Sequence, residues 1–380
     1  MSKARPAVQD ATAETLASAP FVRVVAANDG DSLAAAGVLA GACEQRATPF
    51  QLRLGTGSAT EDAVTVAIGP VGVEGDVTLS RPASPEAYAT ANALGTDPDP
   101  ILALAGTLAA GERVEAAEAA LRDAQDAERV QRRPGVAIPT DDYTVGLAAS
   151  TRLHAPFSGD ESAAAALLAE LREGHDDSGD TDAADSFGRR LASLVAIDTV
   201  TAEGATPRAA EQVERALRPY ATPDGPFATL GGYADVLDAV SRTAPGAGIP
   251  LVLGRRSVGD EDTREAALDA WRSHGETVHR LLREAETARH HGLSVIRVPG
   301  SDPAALPAVA RLSRDFRAPE PTVLAVTDGA AAVAGAEGVG EAITAAADAV
   351  GGTGRGAERA GTARFDTETT QFTDAFREAL

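Results

Sequence analysis

Two aspartates follow a short apolar segment near the start of the chain, in a position that suits metal binding. Residues 21–26 are mostly β-branched and apolar, which predicts a strand. Asp29 and Asp31 then lie on a turn that Gly30 allows to bend sharply. Ligands bind at the carboxyl ends of strands in open α/β sheets, and carboxylate oxygens are suited to a divalent cation. The alternative is that both acids only cap the helix that follows.

A glycine-rich segment near the end of the chain is a second candidate for binding. It begins with Gly351, Gly352, Thr353, Gly354 and Arg355. Successive backbone N–H groups in such a segment can form a concave anion site, and further arginines follow closely. The segment matches neither a Walker A motif nor a dinucleotide fingerprint, because it leads into a predicted strand instead of a helix. A plain hairpin loop that needs no ligand is an equal alternative.

His154 is the third candidate, in a loop-rich region at residues 135–160 that concentrates hydroxyl, acid and histidine side chains. An imidazole there could contact a substrate. The competing interpretation is a histidine that only holds the fold together through hydrogen bonds.

The composition indicates adaptation to high salt. Acidic residues outnumber basic ones 56 to 34 in a chain of 380 residues, giving a net charge of −22, and Lys3 is the only lysine. A hydrated acidic surface keeps a protein soluble where salt screens its self-repulsion. We therefore expect a halophilic source. The negative charge then says little about partners, because the counterion-release drive toward nucleic acid is weak in molar salt.

Several features point to a cytoplasmic protein without a membrane segment. Cys43 is the only cysteine, which excludes an internal disulfide and a thiolate metal cluster. The first 20 residues lack an apolar core of signal-peptide length, and no run approaches about 18 apolar residues.

The elements that must position these candidates form two α/β regions with helices between them. Strand character recurs at residues 50–54, 63–68 and 76–79, and helices are expected near 84 and 99, over 113–131, and several times in 161–242. Helical periodicity then runs over 260–291, and strands and helices alternate from 293 onward. An acidic stretch at 174–185 is expected to be solvated and mobile.

These patterns predict an α/β fold with an N-terminal domain built on a parallel or mixed sheet and a smaller C-terminal α/β domain. The expected boundaries are a flexible tail over 1–20, the first α/β domain over 21–150, a helical section packed on it over 151–258, a connector helix over 259–292 and the last domain over 293–380.

The corner that contains the two aspartates resembles the first motif of DHH-family phosphoesterases, whose RecJ branch degrades single-stranded DNA from the 5′ end. That motif is His-x-Asp-x-Asp-Gly followed by a helix of small residues. Ala27 stands at the histidine position, Asp29 and Asp31 match the two acids, and Ser32 replaces the glycine. The glycine-rich segment resembles the substrate-contacting Gly-Gly-His stretch of the family, with Thr353 at the histidine position.

The resemblance also defines what this sequence lacks. A DHH enzyme uses a later carboxylate and an Asp-His-His triplet to hold two Mn²⁺ or Mg²⁺ ions. Residues 65–72 contain no acid, and residues 78–87 contain no such triplet. His290 and His291 come much later and are expected at a helix end. Asp29 and Asp31 alone could hold at most one loosely bound Mn²⁺ or Mg²⁺, so the resemblance implies a catalytically degenerate, archaeal RecJ-like protein.

Such a protein is expected to bind single-stranded nucleic acid and to serve as a replication or repair accessory subunit beside GINS-type proteins. One alternative is an active 5′ to 3′ exonuclease whose further ligands would come from Asp76, Asp141, Asp142 or His154. Another is a phosphoesterase for short oligonucleotides or cyclic dinucleotides.

Overall fold

The computed structural model describes residues 4–55, 57, 62–172, 181–254 and 260–380. Its helices are α1 (Ala4–Ala17), α2 (Gly30–Gln45), α3 (Ser84–Ala93), α4 (Pro100–Ala109), α5 (Glu118–Asp126), α6 (Tyr143–Ala149), α7 (Glu161–Arg172), α8 (Thr181–Thr201), α9 (Pro207–Ala216), α10 (Leu230–Thr243), α11 (Pro245–Leu253), α12 (Asp260–Glu284), α13 (Leu306–Leu312), α14 (Val339–Ala349) and α15 (Thr369–Ala379). Among these residues, no helix is both long and apolar enough to span a membrane.

The strands of the described residues form three sheets. They are β1 (Val22–Ala26), β2 (Phe50–Leu54), β3 (Val64–Ile68), β4 (Val77–Leu79), β5 (Gln131–Arg132), β6 (Tyr220–Ala221), β7 (Glu286–His290), β8 (Leu293–Arg297), β9 (Thr322–Thr327), β10 (Ala330–Ala334), β11 (Thr353–Ala357) and β12 (Ala360–Arg364). The first sheet is parallel, in the order β2-β1-β3-β4. The second is mixed, in the order β11-β12-β10-β9-β8-β7, with only β8 and β9 parallel. The predicted α/β fold is confirmed.

The first sheet is organised around β1, which pairs with a parallel neighbour on both sides. Val24, Val25 and Ala26 are fully buried, as expected for an interior parallel strand covered on both faces. The small residues of α2 let that helix pack closely on its neighbours. A Cβ added at Gly37 would lie 2.6 Å from the Cβ of Val252, so a larger residue would separate α2 from α11.

The chain forms two compact units whose boundaries differ from the expected ones. The first unit comprises Met1–Arg132 and Tyr220–Trp271, and the second comprises Arg133–Pro219 and Arg272–Leu380. The predicted helical section at 151–258 is therefore divided between the units, with most of it in the second. Sequence periodicity identifies helices but not the long-range contacts that assign each helix to a unit.

In the second unit, each face of the six-stranded sheet has its own apolar core. One core joins α13 to the side chains of Val323, Ala325, Ala330 and Ala332. The other joins α14 and α15 to the intervening side chains of the same strands, such as Leu324, Val326 and Ala331. This alternation follows from the two-residue period of a strand, and it predicts on which face each sheet residue lies.

Several predicted elements need correction. Most of the expected tail is helix α1, in which Ala13 and Leu16 are buried. The connector helix ends at Glu284, and β7 follows at once, so His290 lies in a strand and not at a helix end. The predicted helix over 113–131 is a 3₁₀ turn followed by the shorter α5. Most of the predicted acidic loop, at residues 174–180, lies outside the described residues.

The predicted glycine-rich turn is also different, because most of it is strand β11. Its backbone pairs with β12. A Cβ at Gly354 would lie 2.5 Å from the Cα of Thr344, and one at Gly356 would lie 2.4 Å from the Cα of Gly340. Both glycines are thus required where the strand touches α14 almost backbone to backbone. An extended strand does not form the concave anion site that the sequence suggested.

Candidate functional site

Asp29 is the N-cap of α2. One carboxylate oxygen accepts a hydrogen bond from the Ser32 backbone N–H at 2.9 Å, and the other accepts one from the Ser32 hydroxyl at 3.0 Å. These bonds satisfy a helix N–H that would otherwise lack a partner. Asp29 therefore fulfils the capping role that the sequence offered as the alternative to metal binding.

Asp31 is completely buried and is bound to the start of α3. Its carboxylate accepts hydrogen bonds from the backbone N–H of Ala83 at 2.7 Å, the backbone N–H of Ser84 at 2.9 Å and the Ser84 hydroxyl at 2.6 Å. Burial raises the pKa of Asp31 to about 6, and the nearby carboxylate of Asp29 adds to that rise. The oxygens of Asp31 are therefore already committed to protein donors.

A third acid and an arginine complete this polar cluster. Asp238 on α10 accepts a hydrogen bond from the Gly30 backbone N–H at 2.9 Å and forms an ion pair with Arg242 at 3.2 Å. Arg81, between β4 and α3, donates to the carbonyl oxygen of Ala109 at 2.8 Å. Burial alone would lower the pKa of Arg81, but the surrounding acids raise it overall. These acids are Asp29, Asp31, Asp238 and Glu112.

The residues present do not fit a bimetal centre. Among the described residues, no group of three or more histidine, cysteine, aspartate or glutamate side chains is arranged to hold a metal ion. Asp76 instead accepts from the Thr65 backbone N–H at 2.8 Å, and Asp142 caps α6, while Asp141 is exposed. The ligand set required by an active exonuclease is therefore not assembled from these acids in the described part of the chain.

His154 lies in the second unit, against His279 of α12. The Nδ1 atoms of the two rings are 3.4 Å apart, and Nε2 of His279 lies 2.9 Å from the Ser150 carbonyl oxygen. Burial and three nearby groups lower the pKa of His154 to about 3, so the ring is neutral at neutral pH. These groups are His279, Arg317 and Arg283. The structure therefore gives His154 a structural hydrogen-bonding environment and no positive charge for a phosphate.

The glycine-rich strand presents polar side chains on the face opposite its glycines. Thr353 of β11 lies opposite Arg364 of β12, and Arg355 lies opposite Thr362. Directly opposed residues of an antiparallel pair share one face, and the intervening glycines face α14. Thr353, Thr362 and Arg364 are exposed, and Arg355 is half-buried. Two guanidinium groups and two hydroxyls thus lie on the same face of the β11–β12 pair.

Sequence reasoning did not identify Arg81, Ser84 or Asp238 as neighbours of the two aspartates. The sequence predicts a helix that begins near Ser84. For Arg81 it shows only that the surrounding segment lacks the Asp-His-His triplet. Asp238 is 208 positions away from Gly30, whose backbone N–H donates a hydrogen bond to it. No local pattern indicates a contact over that distance, although a charged residue at the end of β4 was a usable signal for Arg81.

Comparison with solved structures shows which fold this chain has. RecJ in complex with Mg²⁺ from Thermus thermophilus aligns with a TM-score of 0.53 and 15% identity, over 98% of this chain and 51% of that one. CDC45 from Entamoeba histolytica aligns with a TM-score of 0.53 and 9% identity, over 98% and 97% of the two chains. A manganese-bound RecJ aligns with a TM-score of 0.51 and 14% identity, over 98% of this chain and 92% of that one. The chain has the RecJ-like DHH fold and spans about half the length of the Thermus RecJ.

Sequence comparison gives the particular family. The chain is 46% identical over 375 residues to the uncharacterized protein rrnAC1427 of Haloarcula marismortui, covering 97% of this chain and 95% of that protein. Residues 285–378 match the family model described as the C-terminal domain of rrnAC1427. The chain belongs to the rrnAC1427 family.

Proposed function

We propose that this protein binds single-stranded nucleic acid as an accessory subunit in replication or repair and has no metal-dependent nuclease activity. The observation that carries the proposal is the state of Asp31, whose carboxylate is fully buried and accepts its hydrogen bonds from Ala83 and Ser84. A two-metal hydrolase needs carboxylate oxygens free to bridge its ions. The family resemblance supplies the fold, while this arrangement argues against the activity.

The face of β11 and β12 is the proposed contact for the nucleic acid backbone. Arginine guanidinium groups and hydroxyls are the side-chain donors that most often contact phosphate oxygens. Arg355, Arg364, Thr353 and Thr362 supply both kinds of donor on one face. Because these contacts do not read base edges, we expect binding that tolerates sequence changes. The earlier substrate-binding prediction for this segment is thus kept, with side chains in place of backbone N–H groups.

The accessory role rests on two lines of support. The chain shares its fold with CDC45 over nearly the whole of both chains, and the role is inferred by analogy from that fold. The hydrogen bonds that the Asp31 carboxylate accepts from Ala83 and Ser84 support the absence of a hydrolytic step. A GINS-type partner and a cytoplasmic location complete the proposal, together with the halophilic source that the composition indicates.

The test is a combined cleavage and binding measurement in molar KCl. The protein is incubated with Mn²⁺ and a 5′-labelled single strand, with Asp29→Asn and a chelator as controls. We expect retention of the intact strand in fluorescence anisotropy and no loss of nucleotides. Stepwise shortening of the strand that either control abolishes would overturn the proposal in favour of the exonuclease.

A matched pair of variants tests the binding face. Arg355→Ala with Arg364→Ala should weaken binding about tenfold or more. It should also reduce the slope of log K against log salt concentration by about one to two. Arg122→Ala, which removes an exposed arginine of α5 that pairs with Glu118 on the same helix, should leave binding unchanged. Equal binding by the double variant and the wild type would rule out this face.

A further inference from the structure

Three acids of the first unit lie near the first residue of α2. Asp29 and Asp31 flank Gly30 in the sequence, and Asp238 accepts the hydrogen bond of the Gly30 backbone N–H at 2.9 Å. A Cβ added at Gly30 would lie 2.8 Å from the Cβ of Ala109 and 2.9 Å from the backbone nitrogen of Asp238. Helices α4 and α10 therefore approach the start of α2 where only a glycine fits, and the Asp238 carboxylate accepts from it.

Arg81 extends along this same region. Its backbone lies two residues before Ala83, whose N–H is bonded to Asp31, and its guanidinium reaches the carbonyl oxygen of Ala109, which packs on Gly30. The side chain of Arg81 therefore runs from the neighbourhood of Asp31 to the neighbourhood of Gly30 and Asp238. Its guanidinium bonds to a neutral carbonyl oxygen and keeps its full positive charge among the acids.

A cluster of like charges in this position requires compensation. Carboxylates held close together in a region of low dielectric repel one another strongly, and burial removes the water that would screen them. Backbone donors satisfy the oxygens of Asp31 but carry no net charge. Arg242 pairs with Asp238, which leaves Asp29 and Asp31 still in need of a nearby positive charge.

We propose that Arg81 is a built-in cation, which together with Arg242 offsets most of the charge of Asp29, Asp31 and Asp238 and makes the folding of the first unit independent of divalent metal. A guanidinium is always charged, has a fixed planar shape and remains covalently attached, so it supplies this compensation without a binding equilibrium. The inference goes beyond the proposed function, because it concerns what holds the first unit together and does not depend on nucleic acid binding.

The experiment measures the unfolding temperature of the full chain with a chelator and with millimolar Mn²⁺. The wild type should unfold at the same temperature in both conditions. Arg81→Met, which keeps the length and removes the charge, should lower that temperature by about 10 °C in the chelator. Mn²⁺ should restore part of the loss in this variant, because the acids then lack their internal cation. Arg81→Lys should behave like the wild type in its response to Mn²⁺.

The controls separate charge balance from a general packing defect. Arg122→Met, on the exposed face of α5, should change neither the unfolding temperature nor the response to Mn²⁺. If Arg81→Met does not fold, adding Asp238→Asn should restore folding, because it removes one of the repelling charges.

Three outcomes would overturn the proposal. They are a wild type that Mn²⁺ stabilises as much as the variant, an Arg81→Met variant as stable as the wild type, and an unfolded variant that neither Mn²⁺ nor Asp238→Asn recovers. Loss of nucleic acid binding in the β11 and β12 variants is measured separately, so a failure of the proposed function would be distinguishable.

Discussion

The acid cluster around Gly30 and the histidine pair of His154 and His279 show two ways to bury ionisable groups. In the first unit the acids stay close to Arg81, and Asp31 also receives backbone hydrogen bonds. In the second unit the groups that shift the pKa of His154 are a second imidazole and two arginines, so burial and positive neighbours keep the ring neutral. The first cluster places acids beside a cation, whereas the second keeps His154 uncharged at neutral pH.

One hydrogen bond of the histidine pair has a fixed direction. A carbonyl oxygen can only accept, so the Nε2 of His279 donates to the Ser150 carbonyl oxygen. Nδ1 of His279 then faces Nδ1 of His154 at 3.4 Å. Protonating His154 would place a charge beside Arg283 and Arg317. The pair is therefore most stable while the His154 ring is neutral.

The largest expected effect comes from Asp31→Ala, which leaves the buried donors of Ala83 and Ser84 without an acceptor. We expect a loss of about 3–5 kcal/mol in the free energy of unfolding, measured by urea denaturation. The matched variant Asp29→Ala removes only a helix cap and should cost about 1 kcal/mol. Equal losses would mean that Asp31 contributes no more than a cap, and its hydrogen bonds to the start of α3 would not stabilise the acid cluster.

The difference between Asp29 and Asp31 also defines what the sequence could predict. The Asn-Asp-Gly-Asp turn before a helix of small residues was sufficient to place both acids at the end of β1, because strand, turn and cap are local patterns. It could not show that Asp29 caps its own helix whereas Asp31 binds a second helix. That distinction depends on α3, whose first backbone N–H groups lie 52 and 53 positions further along the chain.

The C-terminal sheet gives the same lesson. The segment from Gly351 was expected to be a turn because glycine is common in turns. Gly354 and Gly356 are instead required by the contact with α14, which local composition does not reveal. Similarly, β7 was assigned to the preceding helix, since Glu286–His290 is rich in charged residues and lacks the β-branched pattern of a strand. Pairing with β8 determines its conformation.

The next prediction concerns low pH, which should change the stability of the two regions in opposite directions. His154 has a folded pKa of about 3, below its usual value of about 6.5, so the unfolded chain binds the extra proton between these values. The second unit should therefore lose stability as the pH falls from about 6.5 toward 3. Asp31 has a folded pKa of about 6, above its usual value of about 3.9, so its contribution to the first unit should grow as the pH falls through 6.

Hydrogen exchange measures this response separately in each unit. Between pH 7 and pH 5, after correction for intrinsic exchange rates, opening should become easier in peptides from the 150–160 loop and harder in peptides from α2. His154→Gln should abolish the change in the loop and leave α2 as it was. A loop that responds equally with and without the imidazole would show that another group titrates there.

The smallest expected effect is that of Arg283 on the histidine pair. Its guanidinium donates to the Ser158 carbonyl oxygen at 2.9 Å, and its charge is the weakest of the influences that lower the pKa of His154. Arg283→Met should therefore move that pKa slightly toward its usual range, as measured by NMR titration of the imidazole. Arg280→Met, nearer the start of α12 in an exposed pair with Glu284, is the matched control and should leave the titration unchanged. Because burial is the first cause of the low pKa, His154 should stay neutral at pH 7 in both variants. In the acid cluster, by contrast, removing one arginine with Arg81→Met should leave the acids without their cation. If Arg283→Met instead restored an ordinary pKa, charge and not burial would control the histidine pair, and the two regions would follow the same principle.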